Sequence, residues 1–234
     1  MPSKKILGLI PARAGSKGVP HKNVANVAGK PLIAWTIQAA QGAKGLDRLI
    51  VSTDSQTIAD IAVAFGAEVP FLRPAEYARD DTPAAPPVLH ALEWLEKNEQ
   101  YRPDFVMLLQ PTSPLRATFD IDAAIALLDK TGADSVVSVT PATRSPYWMK
   151  TITADGRLAD FIPGDVGKAR RQDLPPVYAL NGAIYLVRRE IFQKTQSWYT
   201  DRSYAYVMPD ERSLDIDTPW DLRVAGLALG AVPS

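Results

Sequence analysis

The chain has 234 residues, 46% of them apolar and 22% charged, with Lys+Arg and Asp+Glu balanced at 26 each. This is enough for one large globular domain, or one domain with a sizeable insertion, around a real core. Zero net charge argues against bulk attraction to nucleic acid or a membrane surface. The absence of cysteine excludes disulfides, thiolate nucleophiles and Cys-ligated metals, and fits a reducing cytoplasm.

The first element, "KILGLIPA", is a short apolar run that predicts a buried strand. It breaks at Pro11, too early for a signal-peptide core, and no segment approaches about 18 uninterrupted apolar residues. "PLIAWTIQAAQGA" predicts a helix with Pro31 in its first turn and Leu32, Trp35 and Ala39 at helical spacing. "RLIVSTD" predicts a second strand ending at Asp54. A helix follows over "SQTIADIAVAFGA", with Ser55 as N-cap and Gly66 at its C-terminal end. "AEVPFL" reads as a short third strand, "PAAPPVLHALEWLEKN" as a helix from about Pro87, and "DFVMLLQP" as a fourth strand. "FDIDAAIALLDKTG" is a helix closed by glycine and "DSVVSVTP" a fifth strand. That rhythm means βαβ units and a mostly parallel sheet with right-handed crossovers.

After Pro141 the pattern changes. "WMKTITADGRLADFI" predicts a β-hairpin turning at Asp155-Gly156, and "PGDVGKARRQDLPP" a loop. "ALNGAIYLVRR" and "YAYVMP" are further strands, and "DTPWDLRVAGLALG" a closing helix capped by Thr218 or Asp217. Residues 1–140 and 177–234 are therefore expected to form one α/β domain, with 141–176 a small β-rich insertion.

Ligands of open α/β sheets bind beyond the carboxyl ends of the strands. The loops at Arg13–Asn23, Ser52–Asp54 and Gln110–Arg116 lie at such ends. The neutral total also hides an asymmetry: residues 1–46 hold no Asp or Glu but carry Lys4, Lys5, Arg13, Lys17, Lys22, Lys30 and Lys44. From Asp201 to Asp221 the balance reverses, with six acids against two arginines. The loop "ARAGSKGVPHKN" is neither a Walker A motif nor a dinucleotide fingerprint. Its glycines let backbone amides approach an anion, and Arg13, Lys17 and Lys22 supply charge-assisted hydrogen bonds, as a polyphosphate requires.

Three further stretches carry chemistry. Gln110, in "LLQPTSPLR", follows an apolar strand and offers a donor and an acceptor for a base edge or ribose on a loop stiffened by Pro111 and Pro114. Asp215 and Asp217 alternate about Ile216, so in a strand both face one side; such a pair holds a magnesium ion against a triphosphate, or serves only as solvated charge and helix cap. Lys168, Arg170 and Arg171 either clamp a carboxylate or phosphate or merely solubilise. No aromatics interleave with them as single-stranded nucleic acid would need. His21 and His90 share no motif and are expected as surface or capping residues.

Taken in order, "IPARAGSKGVPHKN", "GKPLIAWTI", "IVSTDS", "LRPAEYARDDT", "LLQPTSPLR", "RQDLP", "NGAIY" and "DIDTPWDL" resemble the acylneuraminate cytidylyltransferase family, the CMP-sialic acid synthetases, over nearly the whole chain. The resemblance implies a Rossmann-like, GT-A-like nucleotidyltransferase fold and a cytoplasmic homodimer, with 141–176 forming the dimerisation part. The implied reaction is CTP plus a nine-carbon 2-keto sugar acid giving the CMP-sugar and pyrophosphate, with Mg2+. Carried over residue by residue, Ala12, Arg13, Ser16, Lys17, Lys22, Asn23, Arg73 and Gln110 would hold CTP, with Arg13, Lys17, Lys22 and Asp217 carrying the catalysis. Gln110, Pro111, Thr112, Lys150, Arg171, Gln172 and Asn181 would contact the sugar acid. Trp198 and Tyr199 would reach over a neighbouring subunit's sugar site, and Asp215 and Asp217 would be the magnesium ligands.

Two departures concern the sugar. Ala179 stands where several sialic acid enzymes carry arginine, and "TPAAPP" stands where relatives offer serines. The less polar lining points to a deoxy, di-N-acetylated acid of the legionaminic type, with pseudaminate and 3-deoxy-octulosonate as alternatives. A nucleotide-sugar-dependent glycosyltransferase and a non-catalytic nucleotide-binding module remain as different classes of function.

Overall fold

Alternation along the apolar strands sets the architecture. In β1 (Ile6–Pro11), Ile6 and Ile10 face one side of the sheet and Leu7 and Leu9 the other; in β5 (Phe105–Leu108), Phe105 and Met107 oppose Val106 and Leu108. A sheet apolar on both faces must be covered on both. The computed structural model, which describes residues 4–79, 83–163 and 170–230 without the Arg171 side chain, shows this three-layer arrangement.

One face packs against α1 (Leu32–Gln41), α2 (Gln56–Ala64) and α4 (Thr118–Thr131) through Ile33, Ile37, Ile58, Ile121 and Leu128. The other packs against α3 (Ala85–Glu99) and α5 (Arg189–Thr195) through Val88, Leu92, Leu95 and Phe192. With β4 (Arg48–Ser52), β6 (Ser135–Pro141), β9 (Tyr178–Arg188) and β10 (Ser203–Val207), the sheet order is β10-β6-β9-β5-β1-β4. β1 pairs parallel with β4 and β5, and β10 with β6, while β9 runs antiparallel to both its neighbours. Five strands therefore share one direction, the mostly parallel α/β fold that the alternating pattern called for.

From β1 the chain passes through α1 to β4 on one side, and from β4 it returns through α2 and α3 to β5 on the other side of β1. The loops after β1 and β5 thus diverge at a topological switch point, where open α/β sheets place their ligands. Between β1 and α1 lies a two-stranded ribbon, β2 (Asn26–Val27) and β3 (Lys30–Pro31), turned by Ala28 and Gly29 at positive φ. The closing helix α6 (Pro219–Gly230) packs with Val27, Leu32 and Ile216 in a small cluster of its own.

The expected third strand does not form. "AEVPFL" makes only two isolated bridges to the β4 edge, Ile50 with Glu68 and Thr53 with Leu72. Pro70, midway between them, has no N–H to continue a ladder. The helix placed from Pro87 begins two residues earlier, at Ala85. The hairpin is present as β7 (Lys150–Ile152) and β8 (Leu158–Asp160), with Gly156 at φ 85° in its turn. No helix among the described residues is long and apolar enough to cross a membrane.

Candidate nucleotide site

The loop after β1 is tied down at several points along its backbone. Ala12 N–H continues the sheet by donating to Ser52 O at 2.9 Å, and Ala14 N–H donates to Asp54 Oδ1 at 2.9 Å. Asn23, buried, donates from Nδ2 to Arg13 O at 2.9 Å and closes the loop on itself. His21 sits at φ 53°, leading into a short 3₁₀ turn over Lys22–Val24. With its backbone fixed in this way, the loop forms one wall of a cleft of about 270 Å3, to which Arg13, Gly15, Ser16, Lys22 and Asn23 contribute. Gln110, Pro111 and Thr112 from the loop after β5 form the facing wall.

Arg73 adds a third cation from the β4 edge. It is almost wholly buried, its Nε has no hydrogen-bond partner, and its Nη2 lies 3.9 Å from Asp54 Oδ1. Burial holds its guanidinium below the ordinary arginine value; Asp54 counters that effect and the nearby Arg13 adds to it. Tyr77, Arg79, Pro83, Ala84 and Pro87 also line it. The less polar "TPAAPP" stretch thus borders this cleft through Pro83, Ala84 and Pro87, and its Thr82 lies outside the described residues.

The acidic segment meets the cleft at its Lys22 and Thr112 end. No strand forms over 213–217, so the alternation about Ile216 does not by itself set where the two carboxylates face; Ile216 N–H donates to Thr112 O at 2.9 Å. Lys22 donates from Nζ to Ile216 O, with Asp217 Oδ1 3.6 Å away. Gly18 approaches so closely that a Cβ there would lie 2.1 Å from Asp217 O. Cation loop and acidic pair, nearly two hundred residues apart in sequence, thus share one surface. Asp217 is largely exposed, and its N–H, like that of Thr218, donates to Asp221, which in turn donates its own N–H to Thr218 Oγ1. Thr218, one of the two expected caps, is therefore the N-cap of α6, in a reciprocal capping box.

Asp215 is half-buried and its Oδ1 has no partner. Burial pushes its carboxyl above the usual range; a hydrogen bond with Thr112 and the Lys22 charge oppose this, while Asp217 and Asp221 reinforce it. Among the described residues no group of three or more His, Cys, Asp or Glu converges as a metal centre.

Beneath both walls lies Arg116, fully buried, donating to Ala183 O at 2.7 Å and Gln110 O at 3.3 Å. Burial lowers its guanidinium to about 9, with Asp120 opposing, so it remains a cation at neutral pH. Gly182, at φ 72°, brings β9 against the same place: a Cβ on it would lie 3.1 Å from Gln110 Oε1 and 3.4 Å from Asp215 Oδ2. The sequence assigned no role to Arg116, Gly182 or Asp54, and gave Gly18 only a part in approaching an anion. The glycine punctuation and the position of Asp54 at a strand end were the signals available.

Several expected contacts lie elsewhere. Asn181 is buried at a register shift of β9, accepting from Ser138 Oγ at 2.6 Å and Ala183 N at 3.2 Å and donating to Ser213 Oγ at 3.0 Å. Those bonds make it an internal tie, since an amide so engaged does not turn to a ligand. Trp198 is a core residue, its ring 4.4 Å from Phe192 and 5.6 Å from Tyr185. Only Tyr199 of that pair is exposed. Lys150 pairs with Asp160 across the β7–β8 hairpin, and Gln172 is exposed in a short 3₁₀ turn. Lys17 is exposed and is not among the residues lining the cleft. Lys168 and the Arg171 side chain fall outside the described residues. His90, expected at the surface or at a cap, instead packs 4.9 Å from Phe71 and 5.3 Å from Tyr77.

The family model described as cytidylyltransferase matches residues 7–222. A CMP-N,N'-diacetyllegionaminic acid synthase of Legionella pneumophila is 40% identical over 224 residues, covering 93% of each chain. An N-acylneuraminate cytidylyltransferase of Streptococcus agalactiae is 37% identical over 92% of this chain, which spans only 51% of that relative's length. Among solved structures, CMP:2-keto-3-deoxy-manno-octonic acid synthetase complexed with CTP superposes with a TM-score of 0.72. It is 17% identical, with 98% of this chain and 100% of that one covered, a likeness of fold.

Proposed function

The chain belongs to the cytidylyltransferase family, and on that premise we propose that it activates a nine-carbon 2-keto sugar acid: CTP plus the acid gives the CMP-sugar acid and pyrophosphate. The observation that carries this reading is the cleft at the β1/β5 switch point, cationic along one wall and joined at its end to Asp215 and Asp217. The names of the Legionella and Streptococcus relatives support a nonulosonate as the acid. The 40% relative and the apolar Ala179-Leu180 pair, both residues exposed, favour a legionaminate-type substrate over N-acetylneuraminate.

In this reading the anomeric hydroxyl of the sugar acid attacks the α-phosphorus of CTP in line, its oxygen forming the new P–O bond while the bond to the β-phosphate oxygen breaks and the hydroxyl proton leaves to solvent. Arg13, Lys17 and Lys22 neutralise charge developing on the leaving pyrophosphate, and positioning with electrostatics supplies most of the acceleration. Gln110 and Thr112 face the nucleotide and sugar from the opposite wall, and Arg73 supports the nucleotide. The donor set suits Mg2+: a buried carboxylate oxygen without a partner, Oδ1 of Asp215, beside the exposed carboxylate of Asp217, is hard-oxygen chemistry matched to that ion. When bound, the ion supplies charge neutralisation on the phosphates. Lys22 sets the spacing between the acidic pair and the cation loop through Ile216 O.

Residues 141–176 fit a dimerisation part. Ile152, Leu158 and Phe161 around the hairpin and Tyr178 and Leu180 at the start of β9 are all more than half exposed, apolar surface that a second copy would cover. The missing cysteines fit a cytoplasmic reaction. The deciding experiment is pyrophosphate release from CTP with N,N'-diacetyllegionaminate, N-acetylneuraminate, pseudaminate and 3-deoxy-octulosonate in turn. Release fastest with the legionaminate is expected; no release with any of them overturns the reading. Light scattering in solution tests the dimer.

A further inference from the structure

Residues 1–46 contain no acid, yet the fold brings a carboxylate, Asp54, to the back of their cation loop. A negative charge there opposes binding of a polyphosphate, so its presence calls for a reason. Its surroundings hold it in place. Thr53 N–H and C=O lie on the β4 edge, where Arg73 N–H donates to Thr53 O at 2.7 Å. Ser55 N–H donates to Thr53 Oγ1 at 3.1 Å, and Ser55 Oγ in turn caps α2 by accepting from Ile58 N–H. Asp54 is therefore clamped between a sheet edge and a helix cap, with only about a quarter of its side chain exposed.

From that position a single oxygen, Oδ1, serves two partners: it accepts from Ala14 N–H at 2.9 Å and lies 3.9 Å from Nη2 of the buried Arg73. Arg13 and Arg73 line the same cleft and repel each other. We propose that Asp54 is the positioning residue of the nucleotide site. Through this one oxygen it orients the Arg13–Ala14 peptide of the cation loop and offsets the charge of Arg73 against its repulsion from Arg13, so that both arginines converge on an incoming triphosphate without prior rearrangement. This rests on the reading that the cleft takes CTP. It predicts a role carried through Arg73 and the loop, with no contact between Asp54 and the reacting atoms.

The test is a double-mutant cycle on the full chain, with CTP affinity measured by calorimetry and turnover by pyrophosphate release. Asp54→Asn keeps the amide-accepting oxygen and removes the charge; Asp54→Ala removes both. With a pre-organised site lost, Asp54→Asn is expected to raise the KM for CTP about tenfold with kcat within about threefold of wild type, and Asp54→Ala to raise it further. In an Arg73→Ala background, Asp54→Asn is expected to change KM by less than about twofold, because the two residues act as a unit. A KM within about twofold of wild type for Asp54→Asn, or single-mutant effects that multiply independently in the double mutant, overturns the proposal. A loss explained by melting alone does so as well, and the isosteric Asp54→Asn carries the test if Asp54→Ala does not fold. Wild-type protein that fails to bind CTP overturns the functional reading itself. Wild-type protein that binds CTP while Asp54→Asn binds equally well overturns only the assignment of Asp54.

Discussion

Replacing Gly18 by alanine asks whether the cation loop and the acidic segment must meet as closely as they do. Gly18 does not use the left-handed region, so alanine brings no backbone strain of its own and the effect is steric. The added Cβ would stand 2.1 Å from Asp217 O and 3.3 Å from Asp217 C. Carbon–oxygen contacts settle at roughly 3.3–3.6 Å, so the two backbones must part by about 1 Å. No flexible side chain absorbs that movement: the obstacle is a main-chain carbonyl, and the peptide next to it is fixed by Asp217 N–H donating to Asp221 at 3.1 Å. Overpacking of this kind costs about 1–3 kcal/mol, a fall in Tm of roughly 2–10 °C for a chain of this size. At the site the same displacement separates Lys22 from Ile216 O and Asp217, and a misplacement of about 1 Å costs about a hundredfold in rate. Gly18→Ala is therefore expected to fold, with near-native circular dichroism, and to lose about two orders of magnitude in kcat/KM for pyrophosphate release. A folded variant that keeps kcat/KM within about threefold of wild type would refute the argument.

Asp217→Asn is expected to abolish turnover with almost no change in Tm, since its side chain is largely exposed; near-normal pyrophosphate release at millimolar Mg2+ would remove it from the metal-binding role. Arg13→Ala is expected to lose at least about two orders of magnitude in kcat, the scale of a charged transition-state contact, and a loss below about tenfold counts against the loop's role. Asp215 carries a pH signature. Its folded-state carboxyl is raised above the unfolded value, so the folded chain binds more protons between the two, and stability falls as pH rises through that window. At neutral pH the ionised group is a net cost, so Asp215→Asn should raise Tm at pH 7 in chelator while removing activity, and the gain should vanish well below the carboxylate range; a lower Tm at pH 7 contradicts the assignment. Asn181→Leu should destabilise the chain by about 1–3 kcal/mol in urea titration, because it takes the acceptor from the buried Ala183 N–H, while Ser138 keeps Ile184 and Ser213 keeps Pro209 O. A loss below about 1 kcal/mol would mean that Asn181 is not the internal tie its bonds suggest.

Local pattern carried much of the fold and of one wall of the site. Short apolar runs alternating with amphipathic helices are enough to require a covered, mostly parallel sheet, since strands apolar on both faces have no other stable setting. The cation loop was equally legible, because glycines and basic residues without local acids are a property of twelve consecutive residues. "AEVPFL" failed for a local reason that outweighed its β-propensity: a proline at the sheet edge leaves no donor for a ladder. The surroundings of Trp198 and Asn181 were not legible for another reason. An aromatic or an amide in a motif looks the same whether its side chain turns toward ligand or core, and only packing on Phe192, or internal hydrogen bonds to Ser138, Ala183, Ser213 and Met208, decides which.

The sequence by itself determined the α/β class, the order of the elements and the cation loop, all of which rest on residues near one another in the chain and on periodicities that local chemistry imposes. Only the tertiary structure decided that Gly18 lies against Asp217, that Lys22 holds Ile216 O, that Arg116 joins the β5 loop to β9, and that Asp54 balances Arg73 behind an acid-free loop. These are contacts between segments from about twenty to nearly two hundred residues apart. Their energies depend on burial and on distances of a few ångströms, which the sheet order fixes and no local window of sequence contains.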